Sequence, residues 1–221
     1  MIFQNEVFQP LPCLIRAKKL SAEWRIRTRM SVDDHFPGFS SPPTIYPSSQ
    51  FKIIRWHPPI PGRMKLNFDG SLQGTSTAGG FIIRDWRGEV LLAGACNYGS
   101  TTVAMAESCA LRDGLVAAVR AGFYALDVEG DNSLVIAAVS TNTGIPWRVR
   151  TVIHDIQHLF LQIPDSRITH VYREANLAAD WLSKLGHSIT GTWTNVEDCS
   201  AELSFIVTAD RDGRSLVRRA A

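Results

Sequence analysis

The chain has 221 residues, 45% hydrophobic and 20% charged, values of a globular domain with appendages rather than of a fibrous or wholly disordered chain. A net charge of only +2 selects no partner by itself, and four cysteines without CxxC spacing argue against a disulfide framework and for a reducing compartment. No run approaches the roughly 20 apolar residues that span a bilayer, so no membrane partner is expected.

The charge is unevenly spread. Residues 1–63 carry nine Lys/Arg against four Asp/Glu, and residues 64–190 carry ten against twelve. A basic front ahead of a slightly acidic core fits weak attraction to nucleic acid; a solvated leader is the plainer reading. Nine of the eleven prolines precede residue 62. Segments such as Trp56-His57-Pro58-Pro59-Ile60-Pro61 hold neither long helices nor central strands. Residues 1–61 therefore read as an irregular basic linker with one short helix near Ser21–Met30. The front lacks the apolar core of a secretory signal, which predicts an intracellular protein of nucleus or cytoplasm. Its basic stretch Leu14–Met30 is also compatible with organelle import.

From Met64 the pattern becomes regular. Leu66 and Phe68 alternate with Asn67 and Asp69 in a period-two strand. Ala78–Trp86 and Val90–Tyr98 follow as strands, joined by the turn Asp85-Trp86-Arg87-Gly88. Thr101 and Thr102 offer an N-cap for a helix running to Ala121, with Gly122 as its stop. Ala125–Gly130 is a fourth strand. Asn132–Ser140 and Trp147–Ile163 are helical, Ile168–Tyr172 is a fifth strand, and Ala175–Leu185 closes as a helix. The order β-β-β-α-β-α-α-β-α predicts an α/β domain over residues 62–190, a five-stranded mixed sheet flanked by helices.

Four acids sit where the local pattern calls for something else. Asp69 ends the first strand, Glu107 shares the apolar stripe of the long helix, Asp131 follows the fourth strand, and Asp180 lies in the last helix. Carboxylates in such places are costly unless paired or bound to metal. Converging, they would hold hard divalent cations and support phosphoryl transfer. Taken singly, each has a plainer reading: a turn residue, a helix N-terminal acid, an N-cap and a solvated helix position.

Phe68-Asp69-Gly70-Ser71, Ala106-Glu107-Ser108, Gly130-Asp131-Asn132 and Arg173-Glu174-Ala175-Asn176-Leu177-Ala178-Ala179-Asp180 stand in order on these elements. In this the chain resembles the type 1 ribonuclease H-like domain of plant non-LTR retroelements, often labelled reverse-transcriptase-like, over roughly residues 56–190. The resemblance implies an endoribonuclease that cuts the RNA strand of RNA–DNA hybrids, leaving 5′-phosphate and 3′-hydroxyl ends. It implies two Mg²⁺ ions, with Mn²⁺ as a substitute. Asp69 would bridge both, Asp180 would hold the ion on the attacking side, and Glu107 and Asp131 the ion on the leaving side. Gly70, Ser71 and Asn132 would meet the hybrid, with Thr102, Arg173 and Asn176 as further substrate contacts; Thr102 is equally an ordinary N-cap. The chain would act as a monomer.

Two features depart from that family. No His occupies the short segment before Asp180, where Arg173 supplies charge instead and His170 reads as a sheet residue. No Trp-rich basic handle lies between the helices. A catalytically silent, retroelement-derived nucleic-acid-binding module is the alternative, and intact acids at all four positions favour the enzyme. Residues 191–221 read as an appended extension, with Leu203–Thr208 an extra strand or a partner segment and Asp210–Ala221 disordered.

Overall fold

The computed structural model describes residues 51–141, 145–194 and 200–219. The expected basic helix at Ser21–Met30 lies outside the described residues. Strand β1 spans Phe51–Ile54, β2 Met64–Gln73, β3 Ser76–Arg84 and β4 Val90–Gly99; helix α1 spans Val103–Arg120. Then come β5 (Ala125–Gly130), α2 (Ser133–Thr141), α3 (Arg150–Leu161), β6 (Asp165–His170) and α4 (Leu177–Leu185). Strand β7 (Thr192–Trp193), α5 (Ala201–Arg211) and β8 (Leu216–Arg219) complete the described part.

The main sheet has the order β6-β5-β2-β3-β4-β7. Strands β2, β3 and β4 form the expected antiparallel meander, and β5 runs parallel to both β2 and β6. The short β7 pairs with β4 and adds a sixth strand to the five expected. Alternation in the strands separates two cores. Leu66, Phe68, Phe81 and Ile83 pack with α1, α2 and α3, including Leu111, Leu115, Val135, Ile153 and Ile156. Ile82 and Ala93 point to the opposite face, where Ala178, Leu182, Leu203 and Val207 of α4 and α5 cover them.

The local signals explain most boundaries. Thr102 accepts a hydrogen bond from the Met105 amide at 3.2 Å, and Gly122 adopts φ +72 past the end of α1. Several expectations shift. Strand β2 runs to Gln73, so Asp69 lies within it and does not end it, because pairing with β3 continues to the turn at Gly74. Strand β6 begins at Asp165 and ends at His170, because its parallel register with Ala125–Gly130 sets its limits, not its own apolar residues. The segment 203–208 is a helix, not a strand. Ser200 caps it, accepting from the Leu203 amide at 3.2 Å. Leu203, Val207 and Asp210, spaced by four and three residues, form its buried stripe. A short apolar run fits both periods, and the sheet face it covers selects the helical one.

Both flanks of residues 62–190 join the packing. Trp56 is 2% exposed, and its indole N–H donates to Asn67 Oδ1 at 3.0 Å. Asp210, read from sequence as part of a disordered tail, is buried against Arg84. Strand β8 pairs antiparallel with β1, so residues 216–219 are ordered too.

Candidate active site

The parallel ladder between β2 and β5 ends at Asn67 and Glu129. Beyond that point β2 runs on to Gln73 paired with β3, so Asp69 lies within β2 beside the carboxyl end of β5, the kind of place where open α/β sheets put their sites. Asp69 lies two residues past the end of the ladder on β2, and Asp131 directly follows β5. Glu107 reaches the same point from the first turns of α1. One ligand oxygen from each of Asp69, Glu107 and Asp131 lies within 4.8 Å of the others.

Close packing makes this convergence possible. A Cβ on Gly70 would stand 2.4 Å from the Glu107 amide nitrogen, so only glycine lets α1 approach β2 here. On the other face, a Cβ on Gly80 would stand 2.4 Å from Leu182 Cβ, which holds α4 against the sheet. Helix α4 brings Asp180, 6% exposed, beside Asp69. Ser183, one turn later, donates its hydroxyl to Asp69 Oδ2 at 2.5 Å.

The electrostatics call for positive charge. Burial, reinforced by the neighbouring carboxylates of Asp131 and Asp180, pushes Asp69 up to about 7, against the opposing Ser183 hydrogen bond. Burial followed by the charges of Asp69 and Asp131 pushes Glu107 up to about 9, although the Asn132 side chain and Gly70 amide donate to it. Glu107 Oε2 is buried with no hydrogen-bond partner. An orphaned buried carboxylate oxygen facing two further carboxylates fits a hard divalent cation with oxygen ligands.

Asp180 is held differently. Arg173 pairs with its Oδ1 and Lys184 with its Oδ2 at 2.5 Å, and both cations are largely exposed. The fourth acid therefore lies next to the three-carboxylate group and carries its own counter-charges.

The six expected substrate contacts fall into distinct settings. The Gly70 amide serves Glu107, and the Ser71 hydroxyl donates to the Ser183 carbonyl at 2.9 Å and meets His187 Nε2 at 2.9 Å. Thr102 caps α1. Asn132 caps α2, accepting from the amides of Leu134 and Val135, while its side chain also donates to Glu107. Arg173 pairs with Asp180. Asn176 is 1% exposed and donates to the Phe68 carbonyl at 2.8 Å, which ties the start of α4 to β2.

Sequence reasoning missed Ser183 and His187; His170, read from the sequence as a sheet residue, is the last residue of β6. His170 is exposed at the end of β6, its Nε2 3.1 Å from the Asp131 carbonyl oxygen. For Ser183 a signal existed: it stands three residues after Asp180, on the same helix face.

A family model described as reverse transcriptase-like matches residues 67–186, which contain all four acids. The chain belongs to this family. A curated Arabidopsis thaliana protein, provisionally named a ribonuclease H protein, is 27% identical over 172 residues. That alignment covers 76% of this chain, and the chain spans about a quarter (27%) of the relative's length. Among solved structures, ribonuclease H1 of the archaeon Halobacterium salinarum is 28% identical with a TM-score of 0.54, covering 57% of this chain and 98% of that one. A ribonuclease H1 isolated from compost, solved in complex with an RNA/DNA hybrid, shares the fold at 22% identity and a TM-score of 0.52, covering 55% and 94% of the two chains. This member of the reverse transcriptase-like family thus has a ribonuclease H-like α/β fold, with Asp69, Glu107 and Asp131 gathered where the β2–β5 ladder ends and Asp180 beside them.

Proposed function

We propose that this chain is a metal-dependent ribonuclease that hydrolyses the RNA strand of RNA–DNA hybrids, leaving 5′-phosphate and 3′-hydroxyl ends. The carrying observation is the convergence of Asp69, Glu107 and Asp131 within 4.8 Å, with Glu107 Oε2 buried and unpartnered. The names of the Arabidopsis and archaeal relatives support the substrate class.

Asp69, Glu107 and Asp131 would hold one Mg²⁺, and Asp69 with Asp180 a second; Mn²⁺ fits the same oxygen ligands. When bound, such cations supply Lewis acidity at the scissile phosphate and a more acidic water at neutral pH. The chain's own groups set the geometry. Ser183 fixes Asp69, while Gly70 and Asn132 fix Glu107. Arg173 and Lys184 stand at the rim of the acids, where their exposed ends balance Asp180 and meet an incoming phosphate. The dry setting of Asp69 and Glu107 strengthens every charge interaction formed there.

The test is cleavage of a labelled RNA–DNA hybrid in magnesium by the wild type and by Asp131→Asn, with duplex DNA and duplex RNA as controls. Hybrid-specific cutting by the wild type that disappears in the variant supports the enzyme. A second reading, a catalytically silent nucleic-acid-binding module, draws on the double ion pair of Asp180. It predicts binding of hybrid and metal with no cutting in magnesium or manganese.

A further inference from the structure

Strands β1 and β8 form a separate two-stranded ribbon built from residues outside the 67–186 that the family model matches. Residues 51–57 and 213–219 contain five Lys/Arg and no Asp/Glu. Antiparallel register sets Lys52 directly opposite Arg218. Like charges at such a cross-strand pair are unfavourable by themselves. Both are gathered on one ring: Lys52 Nζ lies 4.6 Å and Arg218 Cζ 4.7 Å from the centroid of Tyr172. The Tyr172 hydroxyl also lies 3.4 Å from Lys52 Nζ. An aromatic ring orients cations without neutralising them. Glu174 accepts from Arg218 at 3.1 Å, whereas Lys52 and Arg55 form no ion pair among the described residues.

Tyr172 directly precedes Arg173, the partner of Asp180. The cations of the ribbon are therefore joined through one residue to those at the edge of the acidic site. We propose that this ribbon, through Lys52, Arg55 and Arg218, binds the phosphate backbone of the nucleic-acid duplex whose scissile strand reaches the four acids. The proposal rests on the nuclease reading above and deepens it. It supplies a grip on the duplex from the two flanks of the chain, where the helices carry no basic handle. Charge complementarity favours this occupant: a run of cations without acids fits a polyanion, and it lies beside the site the polyanion must reach. The outer face of the ribbon, with exposed Phe51, Ile53 and Val217, offers a protein contact as the rival use.

The experiment measures binding of the full chain to an end-labelled RNA–DNA hybrid by fluorescence anisotropy, in calcium, across a salt series. Lys52→Gln with Arg218→Gln keeps polar, unbranched side chains and removes two charges; Arg55→Gln removes one outside the ribbon pairing. The double variant is expected to bind about tenfold more weakly at low salt, with its log–log salt slope shallower by about two, and Arg55→Gln by about one. Lys52→Arg is expected to bind as the wild type does. Unchanged affinity and slope in both Gln variants, alongside normal hybrid cleavage by the wild type, overturns the ribbon and leaves the nuclease. A changed oligomeric state at unchanged affinity also overturns it and assigns the ribbon to a protein contact. Failure of the wild type to bind or cut any hybrid removes the nuclease reading, and the proposal with it.

Discussion

The guanidinium of Arg84 and the carboxylate of Asp210 meet at 2.7 Å inside the protein, 126 residues apart in the chain. Arg84 is wholly buried; its Nη2 donates to Asn67 Oδ1 at 3.0 Å, and its Cζ lies 3.8 Å from the centroid of the Trp56 ring. Asn67 in turn donates to Glu129, which pairs with Lys65. One buried network thus ties the segment before β2, the sheet and α5 together.

Removing one side of a buried pair leaves the other charge without compensation. Asp210→Ala is expected to destabilise the protein by roughly 3–5 kcal/mol, the usual cost of such a lesion. A chain ending at residue 190 loses Asp210 together with the apolar cover of Leu203 and Val207, and should fail to unfold cooperatively. Urea denaturation checks both. An Asp210→Ala midpoint equal to that of the wild type would show that the pair contributes nothing.

Gly70 lets α1 come close enough for Glu107 to join Asp69. In Gly70→Ala the added methyl would collide with backbone at 2.4 Å, so α1 must move away. Metal-dependent stabilisation is expected to fall much further than stability itself. Thermal melting with and without magnesium separates the two effects. Undiminished stabilisation by magnesium would mean that the close approach is irrelevant to the site.

The site carboxylates also predict a pH dependence. Asp69 and Glu107 hold their protons to about 7 and about 9 when folded, above ordinary values of 3.8 and 4.5. Between those limits the native state binds more protons than the unfolded state, so metal-free stability falls as pH rises from about 4 toward 9. Bound magnesium replaces the protons and should flatten that fall. Denaturation midpoints at pH 5.5 and pH 8, in chelator and in magnesium, measure it. A metal-free protein equally stable at both would contradict the burial of these acids.

The Ser183 hydrogen bond acts on the ionised form of Asp69, lowering its proton affinity. Ser183→Ala should therefore cost more at pH 8 than at pH 5.5, where Asp69 is protonated. The expected loss at pH 8 is about 1.5–3 kcal/mol, the range for hydrogen bonds to charged groups. It should also slow hybrid cleavage through misplacement of Asp69. Equal losses at both pH values would assign Ser183 to packing alone.

Much of this protein was legible along the chain. Period-two and helical spacing mark the elements from Met64 to Leu185, and Thr102, Gly122 and Asp85 mark their ends. The four acids stand out because each interrupts a pattern that packing alone would have filled with apolar or neutral residues. Those are local signals, carried by neighbours within a turn or a strand. What only the tertiary structure decided depends on residues far apart. The run 203–208 becomes a helix because the sheet face it covers favours that period. Asp210 becomes a buried partner because Arg84 waits for it. Phe51–Ile54 and Leu216–Arg219, four residues each, are too short to announce a ribbon, and pair only because the folded core brings the two flanks together. Asp180 shows the division most sharply: its position and its i,i+4 spacing from Lys184 are readable from the sequence, but its place beside Asp69 arises only when α4 closes over Gly80.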